Sequence, residues 1–120
     1  MNTLFWFHPY VDRFLRHYRW ADAVVCAPGG ICMGGFMDSW HEEQLLIAMK
    51  LGKPLFYYGR SIGPFWDEPK EKKVFKQQAV RILNYASYVS LRDATSIKIA
   101  KDLGIDNVIE TTGTAFLDYP

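Results

Sequence analysis

PLFYYGRSIGPF, residues 54–65, carries the decision about the fold. Its first half, Pro54 to Gly59, is short, apolar and aromatic, which is the composition of a buried strand. The second half breaks that pattern with Arg60, Ser61, Gly63 and Pro64 in close succession. A strand that only filled a core would not need a guanidinium at its exit, and a plain turn would not need so many special residues in a row. The stretch therefore reads as a strand running into a loop that is either a crowded corner or a site.

Working outward, the same alternation repeats. DAVVCA, residues 22–27, has the length and β-branching of a buried strand and ends in Pro28-Gly29-Gly30. Ser39 followed three positions later by Glu42 predicts a capping box that opens a helix through Leu51, with Gly52 as its stop. Downstream of residues 54–65, Asp67-Glu68-Pro69 reads as a helix start with proline in the first turn. Phe75, Ala79, Ile82, Leu83 and Ala86 then form one apolar stripe, with Lys70, Lys72, Lys73, Lys76 and Arg81 mainly off it as a solvated face. YVSL, residues 88–91, is a third strand; Asp93 caps a helix that buries Ile97, Ala100 and Leu103 and ends at Gly104; NVIET, residues 107–111, is a fourth strand. Upstream, Tyr10 to Trp20 is a further helix with Val11, Phe14, Leu15 and Tyr18 on one face. Strands separated by helices of about ten or more residues predict an α/β fold with an open, doubly wound, Rossmann-like parallel sheet. Half of a closed eight-fold barrel is the alternative, which uneven intervals between strands disfavour.

Composition bounds the rest. The 120 residues fit one domain, 1–120, with a core of ordinary size. Fourteen basic against 13 acidic residues leave a net charge of +1, so no global field points to nucleic acid or an anionic membrane, and any anion must be recognised locally. Two cysteines, Cys26 and Cys32, make neither a disulfide framework nor a metal site; they read as reduced thiols in a cytoplasmic protein. The N-terminal residues lack a cationic lead, and no apolar run is long enough for a membrane span. Aromatic residues make up 16% of the chain, which fits either core filling or a surface that something else covers.

In a parallel sheet the loops that follow the strands share one edge. PGGICMGG (28–35), GRSIGPF (59–65), RDATS (92–96) and TTGTAF (111–116) are thereby gathered into one crevice. Arg60 and Arg92 stand in equivalent places past the second and third strands. Guanidinium offers paired planar donors to carboxylate or phosphate, and helix starts near Asp38, Glu68 and Asp93 add backbone N–H groups. Each feature also has a structural reading: the glycines as tight turns, Ile62 as a plug for the sheet edge, Arg92 as an ion-pair partner of Asp93, and His41 as a polar first-turn residue. No catalytic triad and no metal cluster is visible.

ADAVVCAPGG, LGKPLFYYGRSIGPF, YVSLRDATSIKIAKDLGIDNV and TTGTAF together resemble, in order and spacing from Ala21 to Leu117, the polysaccharide pyruvyl transferase family. The specific part is the Ser-Ile-Gly-Pro loop followed by Ser-Leu-Arg-Asp-x-x-Ser. The resemblance implies one half of a two-domain, glycosyltransferase-B-like architecture. It further implies transfer of the enolpyruvyl group of phosphoenolpyruvate to a sugar, forming a pyruvate ketal in cell-surface polysaccharide. The donor would be a substrate, with no separate cofactor, and the acceptor a glycan or lipid-linked sugar. On this resemblance Arg92 is the residue expected to act on the phosphate or carboxylate, with Gly29, Gly30, Arg60, Ser61, Gly63 and Ser96 in substrate binding. Relatives commonly carry glutamine where Arg60 stands. An Asn-x-Gly-Asp loop expected before Asp22 is absent, and Gly113 stands where the family has aspartate. The family's C-terminal domain is also expected beyond Pro120, and these departures together predict a chain incomplete for catalysis, with that missing domain or a homodimer as its protein partner. A binding or assembly module and a nucleotide-sugar-binding domain are the other classes considered.

Overall fold

The computed structural model describes residues 9–28, 33–34 and 38–112. In chain order its elements are α1 (Pro9–Trp20), β1 (Val24–Cys26), β2 (Met33–Gly34), α2 (Ser39–Lys50), β3 (Leu55–Arg60), β4 (Ile62–Gly63), α3 (Lys70–Tyr85), β5 (Tyr88–Leu91), α4 (Ala94–Asp102) and β6 (Val108–Glu110). The four strands and four helices expected from periodicity are all present. Two short strands, β2 and β4, are additional.

The main sheet runs β1-β3-β5-β6, and every neighbouring pair is parallel. Among the described residues β1 and β6 each have one neighbour, so the sheet is open and the barrel alternative is set aside. Chain order equals spatial order, so each crossover steps the same way. Right-handed crossovers then deliver α2, α3 and α4 to one face. The described residues thus form one wing of a Rossmann-like sheet, without the reversal of direction that a doubly wound sheet has elsewhere.

Packing follows from that arrangement. Leu45 of α2, Phe75, Ala79, Ile82 and Leu83 of α3, and Ala100 of α4 meet Cys26, Leu55, Tyr57, Val89 and Leu91 in one buried core. The α3 stripe is buried as its spacing predicts. On α4 Ala100 is buried, while Ile97 and Leu103 pack partly buried against the core. Opposite the helices, Val25, Phe56 and Tyr88 lie side by side in register, and none of them is fully buried. Parallel sheets are normally covered on both faces. Part of the aromatic surplus therefore lies outside the core: Tyr58 and Tyr88 are half-buried, and Trp20, Trp40 and Trp66 are exposed.

Two local corrections matter for the site. The α2 cap is Asp38, whose Oδ1 accepts from His41 N at 3.1 Å, one position before the expected Ser39. Glu42 is consequently not a capping-box partner but points inward and is buried. The second correction concerns β3. Tyr57 pairs with Val89 and Arg60 with Leu91, so Tyr58 and Gly59 together oppose Ser90. This bulge has Gly59 at φ +59°, a conformation glycine adopts freely. The displaced Gly59 N–H donates to Ser90 Oγ at 3.2 Å, and Ser90 Oγ in turn lies 2.6 Å from Thr111 Oγ1. Simple alternation from Leu55 would aim Arg60 at the face opposite the helices. The extra residue turns it to the helix side, level with Leu91.

Candidate functional site

The loops at the carboxyl edge are tied to one another. β2 pairs with β4 in parallel, with Met33 opposite Ile62 and Gly34 opposite Gly63. The glycine loop after β1 and the Ser-Ile-Gly-Pro loop after β3 are therefore one unit. Contact is backbone to backbone: a Cβ on Gly34 would lie 2.5 Å from Gly63 Cα. Gly63 has φ +77°, and a Cβ there would meet Ile99 Cδ1 at 2.6 Å. At Gly34 the neighbour is backbone and cannot yield, whereas at Gly63 the positive φ is the firmer constraint, since the tip of Ile99 can move.

The third loop joins through Asp93. Its Oδ1 accepts from Ser96 N at 2.8 Å, the ordinary capping bond. Its Oδ2 accepts from Ser96 Oγ at 2.9 Å and from Ser61 Oγ at 2.6 Å. Ser96 Oγ also accepts from Ile62 N at 3.0 Å, and Arg92 N donates to Arg60 O at 3.1 Å. Burial opposes ionisation of Asp93, but the bonds from Ser61 and Ser96 and the nearby Arg92 charge outweigh it and hold the carboxyl below its usual range. A cap thus doubles as the hub that locks Ser61 to the start of α4.

Arg92 is exposed, and its Nε donates to Ser61 Oγ at 2.8 Å. It reaches Asp93 through that serine, because the pair is absent from the direct ion pairs among the described residues. Nη1 and Nη2 of Arg92 have no hydrogen-bond partner among the described residues. A guanidinium fixed at one end with its other nitrogens available is suited to an anion.

Arg60 is placed differently. The bulge turns it inward, where it is buried; Nη1 donates to Ala27 O at 3.1 Å and to Cys26 Sγ at 3.2 Å, and the guanidinium carbon lies 5.9 Å from the Tyr57 ring centre. The two arginines share the edge, as parallel pairing requires, but only Arg92 is exposed at it. Ser61 and Gly63 are half-buried and Ser96 is buried, so Ser96 acts by holding Ile62 and Asp93. Gly29, Gly30, Cys32, Gly35 and Gly113 lie outside the described residues, as does His8.

His41 and Cys26 were not legible as a pair. His41 Nε2 lies 3.4 Å from Cys26 Sγ, which brings the first turn of α2 onto the last residue of β1. Burial and the Arg60 charge lower the His41 pKa, with Asp38 opposing; burial raises the Cys26 pKa, with Arg60 opposing. The useful signal was positional, since both residues flank the same loop. Among the described residues no group of three or more His, Cys, Asp and Glu side chains could hold a metal ion, and no helix is long and apolar enough to cross a membrane.

Glu42, the next residue of α2, is buried, with Oε1 unpartnered among the described residues. Burial, then the Glu43 charge, push its pKa up to about 7. The native state therefore holds this proton more tightly than the unfolded chain, and stability falls as pH rises from the ordinary carboxyl range through 7. Glu42→Gln is expected to raise stability by on the order of 2 kcal/mol at pH 8 and by much less at pH 5. Urea midpoints at the two pH values check this; equal shifts would contradict it.

Comparison with known proteins adds two findings. The family model described as polysaccharide pyruvyl transferase matches residues 3–120. The amylovoran biosynthesis protein AmsJ of Erwinia amylovora is 29% identical over 113 residues, which cover 90% of this chain and 25% of that protein. The chain thus spans about a quarter of the length of the curated relative it matches. No solved structure matches.

Proposed function

The chain belongs to the polysaccharide pyruvyl transferase family, and on that premise we propose that its carboxyl edge binds phosphoenolpyruvate as donor for a sugar acceptor. The observation that carries the proposal is Arg92, exposed and anchored through Ser61 at the meeting point of three loops. The reaction protonates the donor's methylene carbon to a methyl group. A sugar hydroxyl adds to the neighbouring carbon, the C–O bond to phosphate breaks, and a second hydroxyl closes the ketal. One hydroxyl proton is balanced by the new methyl and the other leaves with phosphate or solvent. Such a path needs a carboxylate and a departing phosphate held throughout, which is work for guanidinium and backbone N–H donors. Arg92 supplies the charge, while Ser61, Gly63 and Ser96 set its position. Arg60 supports the floor of the edge from Ala27.

The family description and the name of AmsJ, a protein of amylovoran biosynthesis, support a role in polysaccharide biosynthesis. In this reading a second domain faces the edge and brings the acceptor. Calorimetric titration distinguishes donors: phosphoenolpyruvate is expected to bind and uridine diphosphate not to bind. The reverse result would replace this reading with a nucleotide-sugar site.

A further inference from the structure

Cys26, Arg60 and His41 form a relay that the donor chemistry above leaves unused. Arg60 Nη1–H donates to Cys26 Sγ at 3.2 Å, and the same sulfur lies 3.4 Å from His41 Nε2. Two protonation patterns are possible. If Nε2–H also donated to sulfur, a buried neutral thiol would receive two donors and leave its own S–H proton without a partner. If S–H donates to Nε2, the sulfur accepts from Arg60 and donates to His41, and the imidazole proton sits on Nδ1, where it is left for a ligand. An ionised thiolate beside an imidazolium would accommodate two donors, but burial drives both groups toward their neutral forms. His41 Nδ1 has no partner among the described residues, and His41 sits in the first turn of α2, at the start of which Asp38 accepts its backbone N–H.

We infer that Arg60 and Cys26 lock His41 as the Nδ1–H tautomer and so make it a second donor, beside Arg92, to an anionic ligand at the carboxyl edge. The ligand part of this inference rests on the donor reading above; the tautomer part does not. Arg60, being buried, is then a positioning residue. It acts on the ligand through Cys26 and His41.

Long-range 1H–15N correlation spectra of the 15N-labelled chain at pH 7.5 test it. Wild type is expected to show His41 with a protonated Nδ1 and an unprotonated Nε2. Cys26→Ser, which keeps a hydroxyl donor toward Nε2, is expected to preserve that pattern. Cys26→Ala is expected to lose it in favour of Nε2–H. Phosphoenolpyruvate is expected to shift His41 Nδ1, and His41→Phe to weaken its binding roughly threefold to tenfold. An Nε2–H tautomer in wild type overturns the inference whatever the ligand does. So does a His41 signal that stays put while phosphoenolpyruvate moves the Arg92 and Ser61 amides. No response at any residue overturns the donor reading and the ligand assigned to His41 with it, while the tautomer is still decided by the spectra without ligand.

Discussion

Gly34→Ala is expected to destabilise the protein by on the order of 3 kcal/mol. Two effects add at this position. Gly34 has φ +132°, which side chains rarely adopt, and a Cβ would lie 2.5 to 2.8 Å from three backbone atoms of Gly63. Backbone cannot swing aside as the tip of a side chain can, so β2 and β4 must separate. Gly52 supplies the internal control. Its φ is +65°, yet a Cβ there meets nothing within 4 Å, so Gly52→Ala carries backbone strain alone, about 1 kcal/mol. Urea denaturation of both variants isolates the contact between the loops. Equal midpoint shifts would mean that the pairing of β2 with β4 contributes nothing. Because that pairing joins the loops after β1 and β3, Gly34→Ala should also weaken ligand binding at the edge.

The second large effect is on binding. Arg92→Ala is expected to weaken phosphoenolpyruvate binding by roughly 1.5 to 3 kcal/mol, about ten- to a hundredfold, as a charge-assisted pair is lost. Stability should move by no more than about 0.5 kcal/mol, since the side chain is exposed. Arg92→Lys keeps the charge but loses the planar paired donors, so an intermediate affinity is expected. Calorimetry and urea melts on the same samples separate the two roles. Unchanged affinity together with lost stability would assign Arg92 to the scaffold, as a brace for Ser61 against Asp93.

Most of the architecture was legible in the sequence because two signals agreed. Short apolar runs at residues 22–27, 54–59, 88–91 and 107–111 alternate with stripes such as Phe75, Ala79, Ile82 and Leu83, and that pattern admits few topologies. Parallel order alone places Arg60 and Arg92 at one edge. What escaped was the orientation of individual side chains. Strict alternation along β3 cannot anticipate that Tyr58 and Gly59 would share one partner, and that bulge turns Arg60 from a surface cation into a buried donor to Cys26 and Ala27. Asp38 took the cap expected at Ser39, leaving Glu42 to point inward. The hub role of Asp93 was also hidden, because a capping aspartate looks the same whether or not a serine from another loop donates to it. His41 and Cys26, 15 residues apart, meet only once the sheet edge and the start of α2 are in place.

Where an anionic donor sits is measured directly by backbone amide chemical-shift mapping with phosphoenolpyruvate. Perturbations confined to the segments around Gly34, Ser61–Gly63 and Arg92–Ser96, and abolished by Arg92→Ala, are the predicted result. Shifts centred instead on the outer face of α3, or on Val25, Phe56 and Tyr88 of the sheet face opposite the helices, would contradict it.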